Sequence, residues 1–288
     1  MMIAFALMTS SVLPARAQSA PPLVTDQARE YFDISQTDMA SDQHRPYRLF
    51  IAVPRRAAPE KGYPVLYMLD GNAQFPFAVN GYKPENGPAP LIVAIGYQID
   101  RSYDVPARTR DYTPPTTVVD AHFDQGGEAE AFYQFLLTRV KPWVEARHRV
   151  NGQKQTLAGH SFGGLFTLYT LFNHSASFQH YVAASPSIWW GDGVVIPARK
   201  PLLDAPPRSV TLSVGEYEES PEKAPAGKPI SAKREERHGR RKMVTQARTL
   251  AAQLKDQGVN AQFILFAGKN HGDVIPDAIG KAVIIAGR

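Results

Sequence analysis

A serine between two glycines offers the clearest chemistry in this sequence. Residues 159–163 are Gly-His-Ser-Phe-Gly, a G-x-S-x-G pattern with Ser161 at its centre. The flanking residues predict a sharp turn between a buried strand that ends at Ala158 and an apolar helix that starts at Gly164. Such a turn would present the Ser161 hydroxyl at the carboxyl edge of a sheet, in front of a positively polarised helix N-terminus. Ser161 is therefore the predicted nucleophile, and the alternative is a chance match in a glycine-rich turn.

A serine hydroxyl needs a base, and a histidine held by a carboxylate is the usual one. Of the eight histidines in the chain, His271 follows the last predicted strand, where the chain order serine, acid, histidine would place the base. The neighbouring His160 is expected to pack in the turn. His122 lies in an Asp-x-His-x-Asp sequence similar to a set of metal ligands, but no supporting ligand cluster accompanies it. We therefore predict no metal site.

The sequence leaves the identity of the acid open. The acid is expected in the loop after a predicted strand at residues 209–215, and this loop contains three glutamates: Glu216, Glu218 and Glu219. Glu218 is the preferred candidate and Glu216 the second. Asp204, or a serine–histidine pair with no carboxylate, are further possibilities.

A tetrahedral oxyanion on this site would be held by two backbone N–H groups. One belongs to the residue after the nucleophile, Phe162, and the other to the loop after an early strand, at Asn72. Because only backbone atoms are involved, the residue types carry no information about this prediction.

Short apolar runs alternate with amphipathic segments along the chain. Strands are predicted at residues 29–37, 45–54, 63–69, 89–97, 156–158, 180–185, 209–215 and 261–267. Helices are predicted at residues 128–148 (with a break at Pro142), 164–172, 243–257 and 274–286, and residues 98–127 are predicted to be irregular. Strands that alternate with helices indicate an α/β fold with a mainly parallel central sheet and helices on both faces.

The composition is that of an ordinary globular protein, with 288 residues, 43% hydrophobic and 20% charged. No cysteine is present, which excludes disulfides, thiolate metal sites and a cysteine nucleophile. We predict a single domain over residues 18–288 that contains a polar, basic insertion at about residues 219–242.

The first 17 residues predict a signal peptide. They are mostly apolar, and Ala15-Arg16-Ala17 provides small residues in the arrangement of a cleavage site, although a basic n-region is missing. A buried first strand is the alternative. The prediction implies a periplasmic or secreted protein, and no apolar run reaches the length of a membrane span.

The formal net charge is +5, and no nucleic-acid-binding motif accompanies it, so no nucleic acid is predicted as a partner. Cations concentrate in the insertion: Lys233, Arg234, Arg237, Arg240, Arg241 and Lys242. A solvated loop is the simplest interpretation of this segment. The alternative hypothesis is a mobile cap beside the site that attracts an anionic substrate.

Seven segments resemble the putative esterase family, which includes esterase D, feruloyl esterases, mycolyltransferases and trilactone siderophore esterases. They are YPVLYMLDGN, RTRDYTPP, KPWVEARHRV, LAGHSFGG, AASPSIWW, SVGEYEE and AGKNHGDVIP. The segments SPSIWW, VGEYE and NHGDVIP are most similar to the periplasmic siderophore esterases. This resemblance implies an α/β-hydrolase fold that needs no cofactor, with Ser161 as nucleophile, His271 as base and Glu218, three residues after a loop glycine, as acid.

The resemblance also implies a reaction and a substrate class. A serine esterase would cleave a small-molecule ester through an acyl-enzyme, with a catecholate siderophore trilactone such as enterobactin as the preferred substrate. The anionic, aromatic ferric complex of such a siderophore would be contacted by Arg110 or Arg108, together with Trp189 and Trp190. The alternatives are a general carboxylesterase, a feruloyl or acetyl esterase, an acyltransferase relative or, from a different class, a non-catalytic binding protein on a hydrolase scaffold.

Overall fold

An eight-stranded sheet with the order β1-β2-β4-β3-β5-β6-β7-β8 forms the centre of the computed structural model, which describes residues 22–118, 123, 126–223, 236 and 239–288. The strands are β1 Phe32–Ala40, β2 Pro46–Pro54, β3 Tyr63–Met68, β4 Leu91–Gly96, β5 Val150–His160, β6 His180–Ala184, β7 Ser209–Gly215 and β8 Ala261–Phe266. β2 pairs antiparallel with both β1 and β4, and all the other neighbours are parallel. The predicted signal peptide, residues 1–17, lies outside the described residues.

Helices cover both faces of this sheet, as predicted. They are α1 Asp26–Tyr31, α2 Gly71–Asn80, α3 Val105–Tyr112, α4 Ala129–Phe135, α5 Lys141–Glu145, α6 Phe162–Asn173, α7 Met243–Asp256 and α8 Ile275–Gly287. One core contains buried side chains of α1, α2 and α8, and the other contains those of α3 to α7. None of these helices combines the length and the hydropathy that crossing a membrane requires.

The central strands show why continuous apolar runs in the sequence indicate strands that are buried on both faces of the sheet. In β3, Val65 and Tyr67 belong to one core, while Leu66 and Met68 belong to the other, and all four are fully buried. Successive side chains of a strand point to opposite faces, so a strand covered by helices on both sides must be apolar at every position. Because the strands from β3 through β5, β6 and β7 to β8 pair in parallel, the carboxyl ends of β3, β5, β7 and β8 lie along one edge of the sheet.

Several helical regions differ from the sequence prediction: α2 was not predicted, and α1 occupies the first three residues of the strand predicted at residues 29–37. The prediction of an irregular segment over residues 98–127 is wrong in part, because α3 lies within it. The side chain of Asp104 caps this helix by accepting the Ala107 N–H at 3.2 Å, and such a cap followed by proline is a helix-start signal that the prediction missed. The predicted helix over residues 128–148 is divided into α4 and α5 by one wide π-helical turn, Leu136–Val140, directly before the Lys141-Pro142 pair.

Candidate active site

Ser161 lies in the turn between β5 and α6, with φ 61° and ψ −118°. A positive φ is unusual for a residue with a side chain, and the surrounding structure maintains it. The Ser161 N–H donates to the carbonyl of Ala184 in β6 at 2.9 Å. A Cβ atom at Gly159 would lie 2.3 Å from the Gly163 carbonyl oxygen, and one at Gly164 would lie 2.7 Å from the Ala184 oxygen. Glycines at these two positions therefore allow the tight turn.

A chain of hydrogen bonds connects the serine to a histidine and a glutamate. The Nε2 atom of His271, in the loop between β8 and α8, lies 3.0 Å from Ser161 Oγ. Its Nδ1 atom lies 2.6 Å from Oε2 of Glu218, in the loop after β7. With the proton on Nδ1, His271 donates to the glutamate and can accept the proton of the serine hydroxyl.

The carboxylate of Glu218 is buried and fully hydrogen-bonded. Its second oxygen, Oε1, accepts the hydroxyl of Ser185 at 2.6 Å and the N–H of Gly215 at 2.8 Å. Burial by itself would raise the pKa of Glu218, but the hydrogen bonds from His271, Ser185 and Gly215 hold that pKa below its ordinary value. The group is therefore an anion at neutral pH, oriented toward His271.

The structure separates Glu218 from the other acids that the sequence left open. Glu216 accepts a backbone N–H from the loop after β8 at 3.0 Å. Glu219 accepts the N–H of Thr245, in the first turn of α7, at 2.6 Å. Asp204 forms an ion pair with Arg199 at the surface.

His160 is buried beside His271 and contacts its backbone. Its Nε2 atom lies 2.8 Å from the His271 carbonyl oxygen, and the two ring centroids are 4.6 Å apart. Burial, together with the nearby His271 and Arg108, lowers the pKa of His160 well below its usual value. The ring is therefore neutral, and its Nε2–H donates to the loop that carries His271. The sequence predicted only packing for this residue, because adjacency to the serine gives no sign of the contact.

A cavity of about 300 Å³ opens in front of Ser161. Its lining residues are Arg108, Phe123, Ser161, Phe162, Ser187, Trp189, Glu218, Arg241, Met243 and His271. The ring centroid of Phe162 lies 4.9 Å from that of Phe123 and 6.0 Å from that of Trp189, so one wall is aromatic. Trp190, also predicted to contact substrate, is instead buried below this wall and donates to the Pro114 carbonyl at 3.1 Å.

Arg108 lines the cavity, and Arg110 does not. The guanidinium of Arg108 donates from Nε and Nη2 to the two oxygens of Asp70, both at 2.8 Å. That of Arg110 binds Asp111 on another side of α3, at 2.7 and 3.0 Å. Two residues along a helix rotate a side chain by more than half a turn, so both arginines cannot face the same cavity. Of the two arginines that the sequence offered as substrate contacts, Arg108 therefore lines the cavity and Arg110 does not.

Of the two residues of the predicted oxyanion hole, Phe162 lines the cavity and Asn72 does not. Phe162 is the first residue of α6 and lines the cavity. Asn72 is the second residue of α2 and is not among the lining residues; its side chain donates to the Tyr97 carbonyl at 2.9 Å and accepts the Tyr97 N–H at 2.8 Å. The amide thus fastens the end of β4 to α2. The role of the two backbone N–H groups stays a prediction.

Two further features of the described residues were candidates for a second site, and neither contributes competing chemistry. A larger groove of about 1260 Å³ at the opposite end of the strands has no serine or histidine among its lining residues. Within the described ranges, no three His, Asp or Glu side chains are grouped as metal ligands. His122 lies outside those ranges, as do three of the predicted cap cations: Lys233, Arg234 and Arg237.

Comparisons with known proteins agree with this geometry. The family model described as "Putative esterase" matches residues 41–272. Ferri-bacillibactin esterase BesA of Bacillus subtilis is 33% identical over 267 residues, which cover 85% of this chain and 86% of the relative. Apo-salmochelin esterase of Escherichia coli O6:H1 is 32% identical, with coverage of 96% and 87%. The structure of siderophore hydrolase EstA from Aspergillus nidulans superposes with a TM-score of 0.77 at 26% identity, covering 93% of this chain and 98% of that one.

The sequence, the fold and the relatives therefore lead to the same assignment. The α/β-hydrolase fold and the ester hydrolase class expected from the sequence are confirmed, and the chain belongs to the putative esterase family.

Proposed function

We propose that this protein is a serine esterase that hydrolyses the ester bonds of a catecholate siderophore trilactone through an acyl-enzyme on Ser161. The observation that carries the proposal is the chain of hydrogen bonds from Glu218 through His271 to Ser161, at 2.6 and 3.0 Å. It opens on a cavity with aromatic and cationic walls. Relatives named as esterases of ferri-bacillibactin and of salmochelin support this substrate class.

Acylation begins with the proton of the serine. His271 Nε2 takes the proton from Ser161 Oγ as that oxygen attacks the ester carbonyl carbon. Glu218 stabilises the imidazolium that results, because its anionic Oε2 atom lies against Nδ1. The oxyanion lies at the N-terminus of α6, where the Phe162 N–H and, from α2, the Asn72 N–H are the proposed donors.

Release of the alcohol and of the acid follows the same route in reverse. His271 donates its proton to the leaving alkoxide oxygen as the ester C–O bond breaks, which leaves an acyl group on Ser161. A water molecule then takes the place of the alcohol, His271 removes its proton, and the second tetrahedral intermediate collapses to the free acid and the serine. For a trilactone, the alcohol and the acid belong to the same molecule, so the first turnover opens the ring.

Export is part of the proposal. The small-x-small sequence at Ala15-Arg16-Ala17 supports a cleaved signal peptide and a periplasmic or secreted enzyme. The ferric complex of the siderophore is the proposed anionic partner, and the proposal is supported by the relative named as a ferri-bacillibactin esterase.

A general or feruloyl-type carboxylesterase is the second candidate. A cavity of about 300 Å³ is at the small end of the range for ligand pockets and holds one aromatic acyl group rather than a whole trilactone. A simple aromatic ester would therefore also fit this cavity.

Hydrolysis of four substrates tests the proposal: enterobactin with and without iron, p-nitrophenyl butyrate and methyl ferulate. We expect kcat/KM for the trilactone to exceed that for the simple esters by about 100-fold or more, and Ser161→Ala to reduce it by about 10⁴-fold or more. Rapid turnover of the simple esters with an untouched trilactone would transfer the function to the second candidate. Full activity in Ser161→Ala would contradict the nucleophile itself.

A further inference from the structure

We propose that Ser185 is a positioning residue, whose hydroxyl holds Glu218 in the orientation that supports His271. This inference rests on the proposed function and adds to it a residue from outside the cavity. Ser185 is fully buried directly after β6 and is not among the residues that line the cavity. Its hydroxyl donates to Oε1 of Glu218 at 2.6 Å, and Oε2 of the same carboxylate lies 2.6 Å from Nδ1 of His271.

The backbone of Ser185 has a conformation that favours glycine. Its φ is 42°, a left-handed value that costs free energy for a residue with a Cβ atom. The Ser185 N–H maintains this conformation by donating to the carbonyl of Ser213, in β7, at 2.6 Å. Glycine would adopt the same backbone without the cost, so the hydroxyl is what serine contributes at this position.

The segment that contains Ser185 also holds the nucleophile. The carbonyl of Ala184 accepts the Ser161 N–H at 2.9 Å, and the N–H of Ser187 donates to the Ser161 carbonyl at 3.2 Å. Nucleophile and acid are therefore both attached to the same four residues. A movement of the acid relative to the nucleophile would have to break at least one of these hydrogen bonds.

Two donors on Oε1 determine the direction of the Glu218 carboxylate. One is the Ser185 hydroxyl, and the other is the N–H of Gly215, at the end of β7, at a distance of 2.8 Å. The last torsion of a glutamate side chain has a broad energy profile, so a single donor would let the carboxylate plane turn. The two donors together keep Oε2 directed at His271.

The rate at which a fluorophosphonate labels Ser161 measures the effect without a siderophore. Ser185→Ala removes the hydroxyl, and Ser185→Gly removes both the hydroxyl and the backbone strain. We expect each variant to label about tenfold more slowly than the wild type, because a hydrogen bond to a charged group is lost. Ser209→Ala is the matched control: it removes a hydroxyl 2.7 Å from Nδ1 of His180, at the amino end of β7, and should change the rate less than about twofold.

A double-mutant cycle tests whether Ser185 acts through Glu218. In a Glu218→Gln background the charge that the hydroxyl orients is absent, so Ser185→Ala should slow labelling less than about twofold further. Tenfold losses in both backgrounds would overturn the proposal, because the hydroxyl would then act on the Ser161 turn directly. So would a wild-type rate in Ser185→Ala, or a wild-type rate in Ser185→Gly beside a slow Ser185→Ala, which would assign the effect to the backbone.

The proton between His271 and Glu218 provides a readout that a purely structural role would leave unchanged. A short hydrogen bond to a carboxylate should give a far-downfield proton NMR resonance, and its loss in His271→Ala assigns it. We expect this resonance to broaden and to exchange faster with water in Ser185→Ala, and to be unchanged in Ser209→Ala. An unaltered resonance in Ser185→Ala would contradict the proposal. Thermal unfolding confirms that each variant is folded at the temperature of the measurement.

The two measurements keep this inference separate from the proposed function. If the wild-type protein hydrolyses no ester but the resonance broadens in Ser185→Ala, the proposed function fails and the positioning role of Ser185 stands. If esters are hydrolysed and the effects of Ser185→Ala and Glu218→Gln are additive, the esterase stands and the role of Ser185 is refuted.

Discussion

Two buried carboxylates lie on either side of Ser161, and they are held in different ways. Asp70 follows β3, Glu218 follows β7, and each has 2% of its surface exposed. Asp70 binds a permanent cation, because the guanidinium of Arg108 does not release its proton. Glu218 binds a histidine, whose charge changes during the proposed reaction.

The difference separates a structural charge pair from the pair that is proposed to take part in catalysis. The Asp70–Arg108 pair satisfies both carboxylate oxygens with one partner and fixes α3 against the end of β3. Glu218 uses two neutral donors on Oε1, which leaves Oε2 for His271. A carboxylate already neutralised by arginine would stabilise a developing imidazolium less. We therefore expect changes at Glu218 to affect turnover and changes at Asp70 to affect stability.

The largest expected effect is that of Glu218→Gln on turnover. Loss of the negative charge against Nδ1 should lower kcat by about 10⁴-fold, as expected for the acid of a serine triad. Glu216→Gln changes a residue of the same loop that accepts a backbone N–H and pairs with Lys223, and it should lower kcat less than about threefold. Steady-state kinetics with p-nitrophenyl butyrate measure both.

A small loss of kcat in Glu218→Gln would show that Glu218, like Asp70, has a structural role. If kcat of Glu218→Gln falls by less than about tenfold, the enzyme operates with a serine–histidine pair and Glu218 only positions the loop. Thermal unfolding of the variant provides the control, since a turnover loss with an unchanged midpoint excludes misfolding.

The nucleophile and the base of this site could be predicted from the sequence, whereas the acid could be identified only from three-dimensional contacts. Ser161 and His271 could be selected because a sharp turn requires glycines and because chain order restricts the histidine. The acid could not be selected, since Glu216, Glu218 and Glu219 share a residue type and a loop. The contact with Ser185, a strained residue with φ 42°, distinguishes Glu218.

The arginines illustrate a second limit. The buried strands were predicted because continuous apolar runs have one explanation in a sheet covered on both faces. α3 has no such run: Arg108 and Arg110 both occur in a polar segment. Because this helix was not predicted, the directions of its side chains could not be predicted either. The sequence therefore could not show which of the two arginines lines the cavity at Ser161. Arg241 presented the same difficulty among the six cations of the insertion.

The second effect is a loss of stability on breaking the structural pair. Asp70→Asn should lower the free energy of unfolding by about 3 kcal/mol, because it leaves the buried Arg108 guanidinium without its counter-ion. Asparagine tolerates the left-handed backbone at this position, φ 53°, so the backbone is not the cause. Asp38→Asn breaks an exposed pair with Arg48 and should cost less than about 1 kcal/mol.

A double variant identifies the origin of that loss. Asp70→Asn combined with Arg108→Met removes both charges, and urea unfolding should show it to be more stable than Asp70→Asn alone. A double variant as unstable as the sum of the two single variants would show that packing, rather than the unpaired charge, is responsible.

The smallest effect concerns His160, which lies between the two carboxylate sites. Its pKa is lowered well below the usual value by burial, and then by His271 and Arg108. The unfolded chain therefore binds a proton below about pH 6.5 that the folded protein does not, so stability falls as the pH decreases. Between pH 7 and pH 5 the wild type should lose about 2 kcal/mol more than His160→Gln, as measured by urea unfolding.

Glutamine at position 160 can still donate to the His271 carbonyl, so turnover at pH 7 should fall less than for His160→Phe, which cannot donate. His148→Gln is the control: burial lowers the pKa of His148 as well, but this residue is less buried and should give a smaller pH-dependent difference. Parallel stability curves for the wild type and His160→Gln would mean that the folded protein accepts a proton at position 160. The cationic ring would then lie between Arg108 and His271, and the division into a fixed and a titratable side of the site would be lost.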